Sequence, residues 1–273
     1  MEIYRLQIPE GEALPIVANL PHSGLFVPDE ITVKIAEEYL HVSQEGNRFV
    51  TLPNSDWHLD KLYTFLPKLG VTVLQATHSR YVVDLNRAAN EPLFGNFWSS
   101  VVPEMTAFGQ PIYQNPPTEL EIKQRIDTFY LPYHRKLKSL LDEKIRAFGF
   151  VYLLDLHSFL GLIDDQICLG NQDGKTCSEL FMNTVDQAFS SEGYQVVRNK
   201  VFKGGFITKH YAESPRVGAL QIEVRYPVYL KAEQLDRAEP PEWNVPEFEA
   251  AQIRFERVFR RIIEFVQQKR LES

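Results

Sequence analysis

Two histidines stand where apolar runs stop: His22 follows PIVANLP and His157 follows VYLLDL. Neutral imidazole suits zinc, and a catalytic zinc takes three protein ligands plus water. The third ligand should then be a carboxylate. Asp56, at the start of DWHLDKLY, competes for that place with Glu30, eight residues after His22. Glu223 interrupts the otherwise apolar LQIEV and is a candidate general base toward water. Arg80, Asn86 and Arg87 follow two further apolar runs. Guanidinium binds carboxylate bidentately, so these residues form a candidate clamp for an anionic substrate.

Each of these residues also has a plain structural use. A histidine at a strand end is often a hydrogen-bonded core residue, and Asp56 suits a helix N-cap. Glu223 could pair with Arg225 or another arginine, and Arg80, Asn86 and Arg87 could lie at the surface. Their convergence favours chemistry. A core needs none of them, and burying one such group without a partner costs roughly 1–3 kcal/mol or more. In open α/β sheets, ligands bind beyond the carboxyl ends of the strands, which is where these residues fall.

The elements that must position them read as alternating strands and helices. PIVANL (15–20), VTVLQA (71–76), YVVDL (81–85), VYLLDL (151–156), DQICLG (165–170), YQVVRN (194–199) and LQIEVRY (220–226) are strand-like. Helical patterns cover 28–40, 56–70, 118–148 with a break or kink at Pro132, about 178–191, and 247–269. Residues 88–118 carry five prolines and read as a long loop, a feature usually tied to function. The alternation predicts an α/β sandwich with a mixed, mostly parallel sheet, in a single domain spanning 1–273.

Composition excludes several classes. Hydrophobic residues make up 44% and charged residues 24% of the 273, as in ordinary globular proteins. A net charge of -7 argues against a nucleic-acid partner. No apolar stretch approaches membrane-spanning length, and the N-terminus has no signal-peptide pattern, so no membrane association is expected. The two cysteines, Cys168 and Cys177, form no CxxC motif; a reduced, cytoplasmic setting is expected, and any metal must be held by His, Asp and Glu. Oligomeric state is left open.

Several segments resemble known families. DLHSF (155–159) resembles the segment carrying the third zinc ligand of zinc carboxypeptidases. DLNR (84–87) resembles the Asn-Arg pair that binds substrate carboxylate there and in aspartoacylases, and IEVR (222–225) resembles the stretch around the catalytic glutamate. Arg80 resembles the upstream arginine that polarises the scissile carbonyl in aspartoacylases. The match to the N-formylglutamate amidohydrolase family is closer and runs from PHSG (21–24) to QIEVR (221–225). It includes SDWHLDKLY (55–63), SRYVVDLNR (79–87) and GGFITKHY (204–211). The chain departs from carboxypeptidases in lacking their His-x-x-Glu pair, because Leu25 stands three residues after His22. The second ligand must come from elsewhere, and SDWH points to Asp56.

The resemblance implies a three-layer αβα, zinc-exopeptidase-like fold. It also implies one zinc ion on His22, Asp56 and His157, Glu223 as base, and Arg80 beside the reacting carbonyl. Asn86 and Arg87 would bind a substrate carboxylate, His210 would reach substrate, and Asp155 would support a ligand from behind. The implied substrate is a small anionic N-acyl amino acid such as N-formyl-L-glutamate, cleaved to formate and glutamate in histidine catabolism. The rival readings are a hydrolase of another N-acyl amino acid or a short peptide, and a non-catalytic binding protein on the same scaffold.

Overall fold

The computed structural model describes residues 2–42, 48–90, 92–161, 163–231 and 239–272. Its centre is a seven-stranded sheet: β1 (Tyr4–Gln7), β2 (Ile16–Leu20), β3 (Thr72–Ala76), β4 (Val151–Phe159), β5 (Ile167–Gly170), β6 (Val196–Arg198) and β7 (Val217–Arg225). The spatial order is β1-β3-β2-β4-β7-β5-β6. Strands β3, β2, β4 and β7 run parallel; β1 and β5 run antiparallel to their neighbours β3 and β7, and β6 follows β5. The four central strands therefore deliver their carboxyl ends to one edge, as a mixed, mostly parallel sheet requires.

Side chains of a strand alternate between faces, and the alternation here feeds two cores. Ile16, Ala18, Leu154, Leu156, Leu220 and Ile222 enter one core, while Val17, Leu153 and Ala219 enter the other. Helices α1 (Asp29–Thr32), α2 (Leu59–Leu62), α3 (Glu119–Arg125), α4 (Leu131–Phe148), α5 (Glu179–Ser191), α6 (Phe206–Tyr211) and α7 (Pro246–Glu272) complete the chain. On one face, α5 and α7 bury Phe181, Phe189, Phe255 and Phe259. On the other, α4 and α6 bury Tyr133, Leu137, Leu141 and Ile207. The result is the α/β sandwich anticipated from the alternation of elements, in the three-layer form that the resemblance implies. Among the described residues, no helix is long and apolar enough to cross a membrane.

Local chemistry explains several boundaries. Thr118 and Glu121 form a reciprocal capping box at the start of α3, and Ser178 accepts from the Phe181 amide at the start of α5. The expected break at Pro132 takes another form. α3 and α4 run on through a π-helical turn, Ile126–Tyr130, which places Pro132 in the first turn of α4.

Three expected elements differ. YVVDL (81–85) is not a strand: the Asp84 amide donates to Val101 O and the Val82 amide to Ser79 O, and the run is buried in irregular backbone. The expected helix over 28–40 stops at Thr32. The amide of Ala36 is taken by Ile112 O, so the chain is held by the long loop and not by its own helix. The expected helix over 56–70 shrinks to Leu59–Leu62 and a 3-10 turn at Pro67–Leu69; His58 at φ 57° is the N-cap and delays its start. The edge strand β1 had no strong sequence signal.

Candidate active site

The carboxyl ends of β2, β4 and β7 open into a cleft of about 670 Å³ lined by His22, Asp56, His157, Arg80, Asn86 and Glu223, among others. Their convergence follows from register. β4 and β7 are paired so that Glu223 lies beside His157 and Gln221 beside Asp155. His22 follows the end of β2, the neighbour of β4 on the other side. Asp56 is brought in by a backbone hydrogen bond from its amide to His22 O, 3.1 Å.

His22, Asp56 and His157 are buried, and one ligand atom from each lies within 4.8 Å of the others. The two imidazoles are held in the same way. His22 Nε2 lies 2.8 Å from Asp84 Oδ1, and His157 Nε2 lies 3.0 Å from Asp155 Oδ2. Both carboxylates are fully buried. Each acts as acceptor for an Nε2–H, which turns both Nδ1 atoms toward Asp56 Oδ2, at 3.8 Å from His22 and 3.0 Å from His157. His22 Nδ1 has no hydrogen-bond partner among the described residues although it is buried. Two imidazoles backed by carboxylates, facing a third carboxylate and leaving one ring nitrogen unused, match the donor set of a divalent-metal site.

The charges are strongly coupled. Burial, with Arg80 nearby, pushes the His22 imidazole down to about 4 against the pull of Asp84 and Asp56. Burial also disfavours the charged form of His157, but Asp155 and Asp56 outweigh it and hold that imidazole well above its ordinary range. Asp84 is buried too, yet Arg80, His22 and Arg87 keep its carboxyl well below the usual carboxylate range. A divalent cation bound there would take the place of the His157 Nδ1 proton that faces Asp56, so its uptake would release that proton.

Glu223 is 5% exposed, and its Oε1 accepts from Gln221 Nε2 at 2.7 Å. Burial raises its carboxyl to about 7, partly countered by His157 and reinforced by Asp56. The ion-pair alternative fails: Arg225 pairs with Asp164 at 2.9 Å and leaves Glu223 free of it. The N-cap alternative for Asp56 fails as well, since His58 occupies the N-cap position of α2.

The expected clamp residues reach the cleft. Arg80 donates to Asp84 Oδ2 through Nη2 at 2.6 Å and Nε at 3.2 Å, and its guanidinium lies 4.4 Å from the centre of the Phe97 ring. Asn86 Oδ1 accepts from the Ile207 amide at 2.8 Å, while Nδ2 lies 3.2 Å from His157 Nε2. Arg87 donates to Asn86 O and Phe97 O, and its Nε is buried without a partner among the described residues.

Two expectations require correction. Glu30 is exposed in the first turn of α1 and is not grouped with the imidazoles. His210 is exposed on α6, stacked on Phe206 with ring centres 4.9 Å apart, and does not line the cleft. In GGFITKHY the residues that reach the cleft are Gly204 and Gly205, which precede α6, while His210 in its last turn is exposed away from it.

Sequence reasoning missed Asp84, Asn19 and Gln221. Tyr133 donates to Asn19 Oδ1 and Asn19 Nδ2 donates to Asp155 Oδ1, both at 2.7 Å, completing a buried chain to His157. Gln221 accepts from the Gly205 amide and donates to Glu223. Polar residues inside apolar strands, as in ANL and LQIEV, were the available signal.

The family model for N-formylglutamate amidohydrolase matches residues 14–230. The chain belongs to the N-formylglutamate amidohydrolase family. It is 31% identical over 231 residues to N-formylglutamate deformylase of Pseudomonas putida, covering 80% of this chain and 82% of the relative. The deformylase of Pseudomonas aeruginosa is 30% identical over 230 residues, with the same coverage. The crystal structure of N-formylglutamate amidohydrolase from Ralstonia eutropha JMP134 superposes with a TM-score of 0.78 at 27% identity, covering 98% of this chain and all of the other. A gene product of Agrobacterium tumefaciens shares the fold at a TM-score of 0.65 and 15% identity, over 97% of this chain and 96% of the other. The family match spans every residue of the cluster, from His22 through Glu223.

Proposed function

We propose that this chain is a zinc-dependent amidohydrolase that cleaves N-formyl-L-glutamate and water to formate and L-glutamate. The observation that carries the reading is the pair of carboxylate-backed imidazoles whose Nδ1 atoms face Asp56, with Glu223 beside them in register. The names of the relatives supply the substrate.

His22, Asp56 and His157 hold the metal. Zinc bound there supplies Lewis acidity toward water and toward the acyl oxygen. Glu223 takes the proton of the attacking water and passes it to the departing nitrogen, so the carbon–nitrogen bond breaks with release of a neutral amine. A buried carboxylate that lines the cleft suits both transfers. Arg80, held by Asp84, places fixed positive charge beside the oxygen that gains charge. Asn86 and Arg87 bind a substrate carboxylate and set its register. In this reading residues 1–273 form one catalytic domain, and the two free buried cysteines suit a reduced, cytoplasmic setting.

A second reading has a specific observation behind it. The outer cleft is walled by Phe97, Trp98, Phe108, Phe159 and Phe202, and Trp98 and Phe108 are 51% and 62% exposed. Such a wall suits an N-acyl amino acid with a larger apolar group. One assay separates the two: formate and amine release from N-formyl-L-glutamate and from a panel of apolar N-acyl amino acids, with and without chelator. Chelator-sensitive formate release with N-formyl-L-glutamate as the best substrate supports the first reading. Preference for an apolar substrate supports the second, and no release from any substrate contradicts both.

A further inference from the structure

We propose that two pairs of side chains, three of them buried and His134 half-buried, are positioning residues for separate halves of this site. Tyr226 and Tyr229 set Asp56 and hence metal affinity. Tyr130 and His134 set Asn86 and Arg87 and hence substrate binding. The inference rests on the metal and substrate sites proposed above and names what holds them.

Asp56 lies in backbone that no helix or strand stabilises, between Asn54 and His58, both in the left-handed region. Its two flanking carbonyls are nevertheless fixed. The Tyr226 hydroxyl donates to Ser55 O at 2.5 Å, and the Tyr229 hydroxyl donates to Trp57 O at 3.0 Å and also lies 3.0 Å from the Oγ of Ser158, the neighbour of His157. Both tyrosines sit at the 3-10 turn that follows β7 directly, and residues three apart on such a turn share a side. The strand that carries Glu223 therefore also carries the clamp on Asp56.

Asn86 repeats the arrangement. Residues 81–87 form no strand, and the carbonyls flanking Asn86 are those of Leu85 and Arg87. Tyr130, the last residue of the π-helical turn, donates to Arg87 O at 2.8 Å. His134 Nε2 lies 3.0 Å from Leu85 O, and its Nδ1 lies 2.9 Å from the Tyr211 hydroxyl. A carbonyl can only accept, which fixes the proton on Nε2 and makes His134 the donor. The last residue of the π-helical turn and His134, one turn further along α4, thus place two donors over one irregular segment.

A merely structural role would lower thermal stability without separating the two halves, so the test reads two parameters. Zn²⁺ affinity is measured against a competing chelator, and KM and kcat for N-formyl-L-glutamate are measured at saturating Zn²⁺. Tyr229→Phe is expected to weaken Zn²⁺ binding about 10–100-fold while KM stays near wild type. Tyr130→Phe is expected to raise KM about tenfold while Zn²⁺ affinity and kcat stay near wild type. If either variant does not fold, Tyr226→Phe or His134→Gln carries the same test for its half. Equal changes in both parameters, change in neither, or failure of all four variants to fold would overturn the proposal. Wild-type protein that binds no Zn²⁺ or releases no formate would overturn the underlying functional reading and this inference with it. Wild-type protein that does both, with variants that do not separate, overturns this inference alone.

Discussion

Asp155 and His157 stand two residues apart on one strand, so their side chains share a face, and His157 Nε2 lies 3.0 Å from Asp155 Oδ2. His22 and Asp84 reach the same arrangement from distant parts of the chain, at 2.8 Å. In both cases the carboxylate orients the ring and makes its other nitrogen a better ligand.

Asp84 carries three loads, because its carboxylate accepts from His22, from Arg80 and from the Asn86 amide at 2.8 Å. Asp84→Asn leaves the buried Arg80 without its counter-charge, and unfolding free energy should fall by about 3 kcal/mol. Zn²⁺ affinity should fall about 10–100-fold in the same variant. Denaturant melts and chelator competition measure the two effects; an unchanged metal affinity would remove Asp84 from the support of His22.

Glu223→Gln keeps the size and the hydrogen bond with Gln221 but cannot accept a proton. Zinc content should persist while kcat falls about 10²-fold or more. In metal-free protein, carbon-13 NMR should show the Glu223 carboxyl titrating near the value of about 7 that burial gives it. A bound cation favours the carboxylate, so adding zinc should move that titration to lower pH. A titration in the ordinary glutamate range without metal would contradict the buried environment.

His22, His157 and Glu223 were legible in the sequence because each follows or interrupts an apolar run that forms a parallel strand, and parallel strands gather their carboxyl ends; Arg80, Asn86 and Arg87 were legible only from their place after apolar runs, since 81–85 is irregular backbone. Asp84 was not, because VVDL reads as a strand by periodicity while its backbone bonds go to Val101 and the loop. His210 was misplaced because a motif gives spacing along the chain but not rotation about a six-residue helix. The expected helix over 28–40 failed for a similar reason: Ile31, Ile35 and Tyr39 do share a buried cluster, but with Val50, Tyr81 and Ile112, residues remote in sequence.

Arg87→Ala should lower kcat/KM for N-formyl-L-glutamate about 10²-fold, since it removes charge-assisted hydrogen bonds worth roughly 1.5–3 kcal/mol each. For the analogue whose α-carboxylate is an amide the loss should nearly vanish, and the two substrates form a double cycle with the mutation. Equal losses would show that Arg87 does not bind that carboxylate, and N-formylglutamine would then test the side-chain carboxylate.

Gly205 packs so closely on the Asn86 amide that a Cβ there would overlap it. Gly205→Ala should displace Asn86 and lower kcat/KM about 10²-fold, because small misplacements of binding groups cost that much. Zn²⁺ affinity should change less, since Asp56 and His22 lie on other segments and His157, which Asn86 touches, is also held by Asp155. Wild-type kinetics in this variant would mean that Asn86 does not position substrate.

The central claim is the metal on His22, Asp56 and His157, and elemental analysis of purified protein tests it most directly. Wild type and Glu30→Ala should each carry one zinc per chain, while Asp56→Ala and His157→Ala should carry none and remain folded by circular dichroism. Full zinc occupancy in Asp56→Ala or His157→Ala, or its loss in Glu30→Ala alone, would contradict the assignment.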